Sequence, residues 1–161
     1  MKRYTSTKGG FTLVELLIVI VIIAILAAIT IVAYNGIQNR ATDSRRAKDM
    51  SNIKTALMAY DAANGGLPRV TTYLTTTYSG WDMSAGTSWL SFLRTTNGTM
   101  PVDPVNSITG TNPPATGNTV YFYTCYPAGS GPLPATDNAR IGYHKTDGTL
   151  VYNQFPVTAC T

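Results

Sequence analysis

The sequence predicts an α+β fold, in which one long N-terminal helix packs against a small antiparallel β-sheet. Three observations carry that expectation. Every residue from Leu16 to Ile29 is apolar, and no Lys or Arg occurs between Lys8 and Arg40. The apolar run then passes, without a turn cluster, into a helix-periodic segment that stops at Asn64-Gly65-Gly66-Leu67-Pro68. From Thr71 onward the chain is rich in Thr, Ser, Gly, Asn, Pro and Tyr, with aromatic and β-branched runs set between turn residues.

The elements follow in order. A bilayer core needs about 20 residues of helix, which the largely apolar segment 11–33 around this run supplies. Between Tyr34 and Asn64, the residues Ile37, Ala41, Ala47, Met50, Ile53, Leu57 and Tyr60 recur mainly at three- and four-residue spacing, the mark of one buried helix face. Arg40, Arg45, Arg46, Lys48, Asp49 and Lys54 point mostly in other directions. Gly provides the left-handed cap and Pro the stop beyond it. The segment from Phe11 to Ala63 is therefore expected as one helix of about 80 Å at 1.5 Å per residue. Asn35-Gly36 is its soft spot, since Gly costs about 1 kcal/mol against Ala in a helix interior; a gentle bend or a break there are both open.

After the helix, Trp89-Leu90-Ser91-Phe92-Leu93 predicts a short helix entered near Ser84 or Thr87 and closed by Asn97-Gly98. Pro101, Pro104 and Pro113-Pro114 mark loops. Val120 to Cys125 reads as a strand. Ile141 to His144 and Leu150 to Phe155 flank Thr146-Asp147-Gly148, a hairpin signal. A sheet of three or four strands follows, and its short Thr-rich strands need the helix's apolar face to complete a core. Tyr121, Tyr123, Tyr126, Tyr143 and Tyr152 are expected to divide between sheet faces.

One residue of the apolar segment asks for a chemical explanation. Glu15 stands at the head of a membrane-length run, and an ionised group at the centre of a membrane helix costs roughly 2.5–3.5 kcal/mol on insertion scales. The stretch before it, Lys8-Gly9-Gly10-Phe11-Thr12-Leu13-Val14-Glu15, with Lys2 and Arg3 further upstream, resembles the precursor of a type IV pilin or pilin-like protein with a class III leader. The resemblance is specific over about residues 8–64. It implies cleavage between Gly10 and Phe11 by prepilin peptidase, N-methylation of Phe11, and use of Glu15 in filament assembly as partner to a neighbouring subunit's N-terminal amine. It implies three regions: a leader at 1–10, a transmembrane or filament-core helix at 11–33, and a pilin head at 34–161 with the amphipathic helix at 34–64 and a C-terminal sheet.

The function so implied is a structural subunit, polymerised through its N-terminal helix into a surface filament for adhesion, twitching motility or DNA uptake. Its partners would be further copies of itself, the peptidase and the pilus assembly machinery. The precursor would be a single-pass protein of the cytoplasmic membrane. A pseudopilin of a type II secretion-like system is the alternative, and Pro101-Val102-Asp103-Pro104 looks like a loop of many pilin-like heads. Members of the family often carry a helix-bending Pro near residue 36, which this chain lacks. An ordinary signal anchor with Glu15 among the headgroups is the plainer reading. Basic residues flank the span on both sides, so charge alone does not orient it.

Composition narrows the remaining classes. The 161-residue chain carries a formal net charge of +4. Loss of Lys2, Arg3 and Lys8 with a leader brings this to about +1. Nucleic-acid binding by the basic cluster Arg40 to Lys54 is thus a secondary reading to a solvated helix face. Cys125 and Cys160 are expected to pair in an oxidising compartment, with two buried thiols as the alternative. The lone His144 has no ligand spacing around it, and no phosphate loop or nucleophile elbow occurs. No enzymatic activity, metal or cofactor is expected. Asn97-Gly98-Thr99 fits a glycosylation acceptor.

Overall fold

The computed structural model describes residues 10–69, 80–86, 89–109, 115, 117–128 and 135–161. The basic residues Lys2, Arg3 and Lys8, together with Gly9, Thr71, Thr87, Pro113 and Pro114, lie outside them, as does the side chain of Asn97. The described elements are helix α1 (Leu13–Asn64), strand β1 (Asp82–Met83), helix α2 (Ser91–Asn97), and strands β2 (Phe122–Tyr126), β3 (Asn138–His144) and β4 (Leu150–Pro156). By contacts the chain forms two units, Met1–Arg40 and Ala41–Thr161. Helix α1 contributes to both.

In the first unit the helix is apolar around its whole circumference. The described large apolar side chains from Phe11 to Ile37 are 48–88% exposed. An 18-residue window reaches a mean hydropathy of 3.4, so the helix has the length and composition to cross a bilayer. The helix starts at Leu13 rather than at Phe11, because Thr12 caps it. Its assignment continues through Gly36. A Cβ there would meet nothing within 4 Å, so neither crowding nor a turn conformation demands the glycine.

In the second unit a four-stranded antiparallel sheet of order β1-β2-β3-β4 lies against residues of α1. Met50, Ile53 and Leu57 of α1 join Leu67, Trp89, Leu90, Leu93, Tyr121, Tyr123, Ile141, Tyr143 and Phe155 in one core. Strands β2 and β3 are largely buried on both faces, so Tyr121, Tyr123 and Tyr143 are all buried, while Tyr152 of the edge strand β4 is 51% exposed. Gly142 is required by crowding, since a Cβ there would lie 2.4 Å from Phe122 Cζ and 2.6 Å from the Val151 carbonyl oxygen. The hairpin between β3 and β4 turns at Lys145–Gly148, with Gly148 at φ 83° and its N–H bonded to the Lys145 carbonyl.

The structure corrects the expected buried face of α1. Ala41 and Ala47 are exposed, and so is Ile37 in the first unit. Arg46, placed by its charge among solvated directions, is fully buried. The physical stripe runs Asp43, Arg46, Met50, Ile53, Leu57, Tyr60, at alternating spacings of about three and four residues. Arg46 is in phase with the core, and an apolarity count skips it. The short helix is likewise displaced. It begins at Ser91, after Leu90 in the left-handed region at φ 41°, rather than near Ser84 or Thr87. Strand β2 begins at Phe122 instead of Val120.

Candidate assembly site

The N-terminal motif is built around Thr12. Its hydroxyl oxygen accepts a hydrogen bond from the Glu15 N–H at 3.2 Å. In return, Glu15 Oε2 accepts from the Thr12 N–H at 2.8 Å and from the Thr12 hydroxyl at 2.7 Å. This reciprocal arrangement is a capping box: two donors at the helix start, which have no intrahelical acceptor, are satisfied by side chains. The Thr-x-x-Glu spacing is the sequence signal for it, and it gives Glu15 a local structural role beside any role of its charge. Among the described residues Oε1 accepts no hydrogen bond, so the carboxylate keeps one oxygen facing outward. Phe11 is 88% exposed beside it, and Gly10 is exposed with nothing within 4 Å of a built Cβ.

The two cysteines meet in the second unit. Cys125 of β2 and Cys160 are disulfide-bonded with Cα atoms 5.6 Å apart, closing a separation of 35 residues. A loop of that size is worth about 2–4 kcal/mol in the chain-entropy model. Backbone bonds extend the clasp: the Leu67 N–H donates to Ala159 O at 2.7 Å and the Thr161 N–H donates to Leu67 O at 3.0 Å. Asp137 Oδ2 accepts from the Cys160 N–H at 2.6 Å. The chain following α1 is thereby tied to the C-terminus.

Carboxylates organise the rest of this unit. Arg46 Nε and Nη2 donate to Asp103 Oδ2 and Oδ1 at 2.8 and 3.0 Å. Both side chains are essentially inaccessible. Burial works against the guanidinium charge, but Asp103 and Asp43 more than offset it and hold the Arg46 pKa above its ordinary value. Asp103 also accepts the N–H groups of Val105 and Asn106, which fixes the Pro101–Pro104 loop. Asp43 accepts from the Thr146 N–H and hydroxyl at the β3–β4 turn. Asp49 accepts the Tyr121 hydroxyl at 2.8 Å. Burial, reinforced by Asp49, pushes that phenol upward, so it remains a donor. Asp61 accepts from Thr158. Asp82 accepts the Leu90 N–H at 2.6 Å, standing in for a side-chain cap of α2.

His144 lies buried in β3, and its Nδ1 has no hydrogen-bond partner among the described residues. No cluster of three or more His, Cys, Asp or Glu with metal-binding geometry occurs among the described residues. A shallow groove of about 410 Å³ beside α1 is lined by Asn52, Ile53, Thr55, Ala56, Ala59, Thr99, Met100 and Pro101, none of which titrates.

The fold and this motif define a class of protein: an α+β, pilin-like chain led by an exposed apolar helix. Comparison with known proteins agrees. Residues 5–31 match the prokaryotic N-terminal methylation motif. Over 63 residues the chain is 44% identical to fimbrial protein EcpB of Eikenella corrodens, covering 39% of this chain and 39% of that protein. The chain thus spans well under half the length of the curated relative it matches. No solved structure matches. Both matches fall on part of the chain, and the motif match covers the stretch from Lys8 to Glu15 that carries the resemblance to pilin-like precursors.

Proposed function

We propose that this chain is a type IV pilus subunit, made as a single-pass membrane precursor, cut after Gly10, N-methylated at Phe11 and polymerised through α1 into a surface filament. Residues 1–10 are the leader, 11–33 the membrane and later filament-core helix, and 34–161 the head. The observation that carries this reading is an apolar helix exposed around its whole circumference that opens on a carboxylate with one oxygen uncommitted. In the membrane lipid covers such a helix; outside it, only other copies can. Cleavage creates an amine at Phe11, and a neighbour's amine beside Glu15 would be attracted to its carboxylate more strongly as packed helices exclude water, less the cost of desolvation.

Adhesion, twitching movement or DNA uptake would follow from a filament, and the fimbrial relative favours a surface pilus over a secretion pseudopilus. The Asp103-anchored Pro101–Pro104 loop is the observation that favours the pseudopilin alternative. Intact mass of the membrane and filament forms tests the proposal: a chain beginning at a methylated Phe11 supports it, and one retaining Met1 to Gly10 in polymer overturns it. In Glu15→Ala, cleavage is expected to continue while filament yield falls at least tenfold. Normal yield would remove Glu15 from assembly.

A further inference from the structure

Among the described residues, strand β4 forms one edge of the sheet, and it lacks the usual protection of an edge. Its seven residues, Leu150-Val151-Tyr152-Asn153-Gln154-Phe155-Pro156, contain no charge and no glycine, with proline only at the last position. Pairing with β3 is one-to-one from Asn138↔Pro156 to His144↔Leu150, without a bulge. Leu150, Tyr152, Asn153, Gln154 and Pro156 are exposed. Natural sheets blunt such edges with lysine, internal proline, bulges or shortness, because the unpaired N–H and C=O groups template another strand. Here only the opposite edge is blunted, by shortness: β1 has two residues, both buried.

That asymmetry selects the partner. Extending the sheet head to tail would need two open edges, and this sheet has one long edge. A second copy can therefore add only its own β4, antiparallel across a two-fold axis, an isologous contact that closes on itself. We propose that β4 pairs with β4 of a second copy about Asn153. That register places Val151 opposite Phe155 and Tyr152 opposite Gln154, so aromatic and β-branched side chains meet and no like charges do. Tyr152 and Gln154 are already ordered: the Arg140 guanidinium lies 4.8 Å from the Tyr152 ring centroid and donates to Gln154 Oε1 at 3.0 Å. Fixing them beforehand lowers the entropy lost on pairing. The two Arg140 side chains would sit three strand spacings apart, about 14 Å, beyond the Debye length of about 8 Å. A closed two-fold contact does not propagate a helical filament, so it joins subunits of neighbouring filaments or neighbouring precursors. The inference rests on the filament reading only for the crowding of identical copies.

The test is oxidative cross-linking of the full-length chain in producing cells. Asn153→Cys puts two thiols face to face across the axis, whereas Asp147→Cys at the exposed β3–β4 turn does not. Expected is at least tenfold more covalent dimer from Asn153→Cys on a non-reducing gel. Asn153→Lys opposes two ammonium groups at the axis and is expected to abolish lateral association of filaments while leaving their length unchanged. Equal, low dimer from both cysteine variants, with filaments present and the Cys125–Cys160 bond intact, overturns the pairing. Dimer from membrane-held precursor in cells that never form filaments supports β4 pairing and overturns the filament reading alone.

Discussion

The two units of this chain solve the problem of burial in opposite ways. Among the described residues, 13–40 make hydrogen bonds only to near neighbours and leave their apolar surface exposed. In residues 41–161 every one of the seven aspartates accepts a hydrogen bond, and five of them reach across more than 50 residues of sequence or anchor the C-terminus. The first unit leaves its apolar surface uncovered by the described residues. The second is cross-braced by its own carboxylates and disulfide. Stability in one region is therefore a matter of surroundings, and in the other of specific atoms.

The largest break in that contrast should come at Asp103. Removing it leaves Arg46 charged, buried and short of its bidentate acceptor, a loss of about 3–5 kcal/mol for a broken buried pair. Asp103→Ala in the detergent-solubilised full chain is expected to lower the unfolding free energy of the second unit by that amount, read as a lower denaturant midpoint at unchanged m. Joint replacement, Arg46→Met with Asp103→Leu, should recover much of it, because the cost lies in the orphaned charge. If Asp103→Ala costs under 1 kcal/mol, the ion pair is not the brace described.

Asp82 sharpens the comparison through pH. Burial pushes its carboxyl up to about 6 from 3.8, against the opposing pull of the Leu90 and Met83 N–H groups and Arg94. A raised folded-state pKa means that the fold prefers the protonated form. Its stabilising contribution is complete below about pH 4 and is lost as pH rises through 6, by at most about 3 kcal/mol. Asp137 and Asp147 are held below their ordinary value by hydrogen bonds, so they titrate beneath this window. Urea unfolding between pH 4 and pH 7 should show stability of the second unit falling with pH, and Asp82→Asn should flatten the slope. An unchanged slope in that variant would assign the titration elsewhere.

What the sequence disclosed divides along the same line. The apolar run, the stop at Gly65 and the β3–β4 hairpin are local patterns, and local patterns are readable from one chain. Gly65 indeed takes φ 72° with its N–H on Asp61 O. The bracing was hidden because its members lie far apart in sequence: Arg46 and Asp103 are separated by 57 residues, Asp43 and Thr146 by 103. No spacing rule links them, and the charge of Arg46 does not mark a solvent-facing position because a partner distant in sequence neutralises it. The N-terminal capping box is the converse case, a local pattern present in the letters Thr12 to Glu15 but masked by the more conspicuous question of why a carboxylate stands there.

That capping box gives the smallest effect and the cleanest contrast. Thr12→Ala deletes the hydroxyl that receives the Glu15 N–H and removes one of two donors to Glu15 Oε2. Loss of a cap costs about 1 kcal/mol. Because Thr12 has no described contact outside the first turn, the loss should stay local. Amide exchange in detergent is expected to speed up about fivefold at the start of α1, with the midpoint of the second unit unchanged. Thr12→Ser should restore protection, since a serine hydroxyl keeps both the acceptor and the donor. A shift in the second unit's stability on Thr12→Ala would mean that the two units are energetically coupled, and the division between an externally completed helix and an internally braced domain would have to be withdrawn.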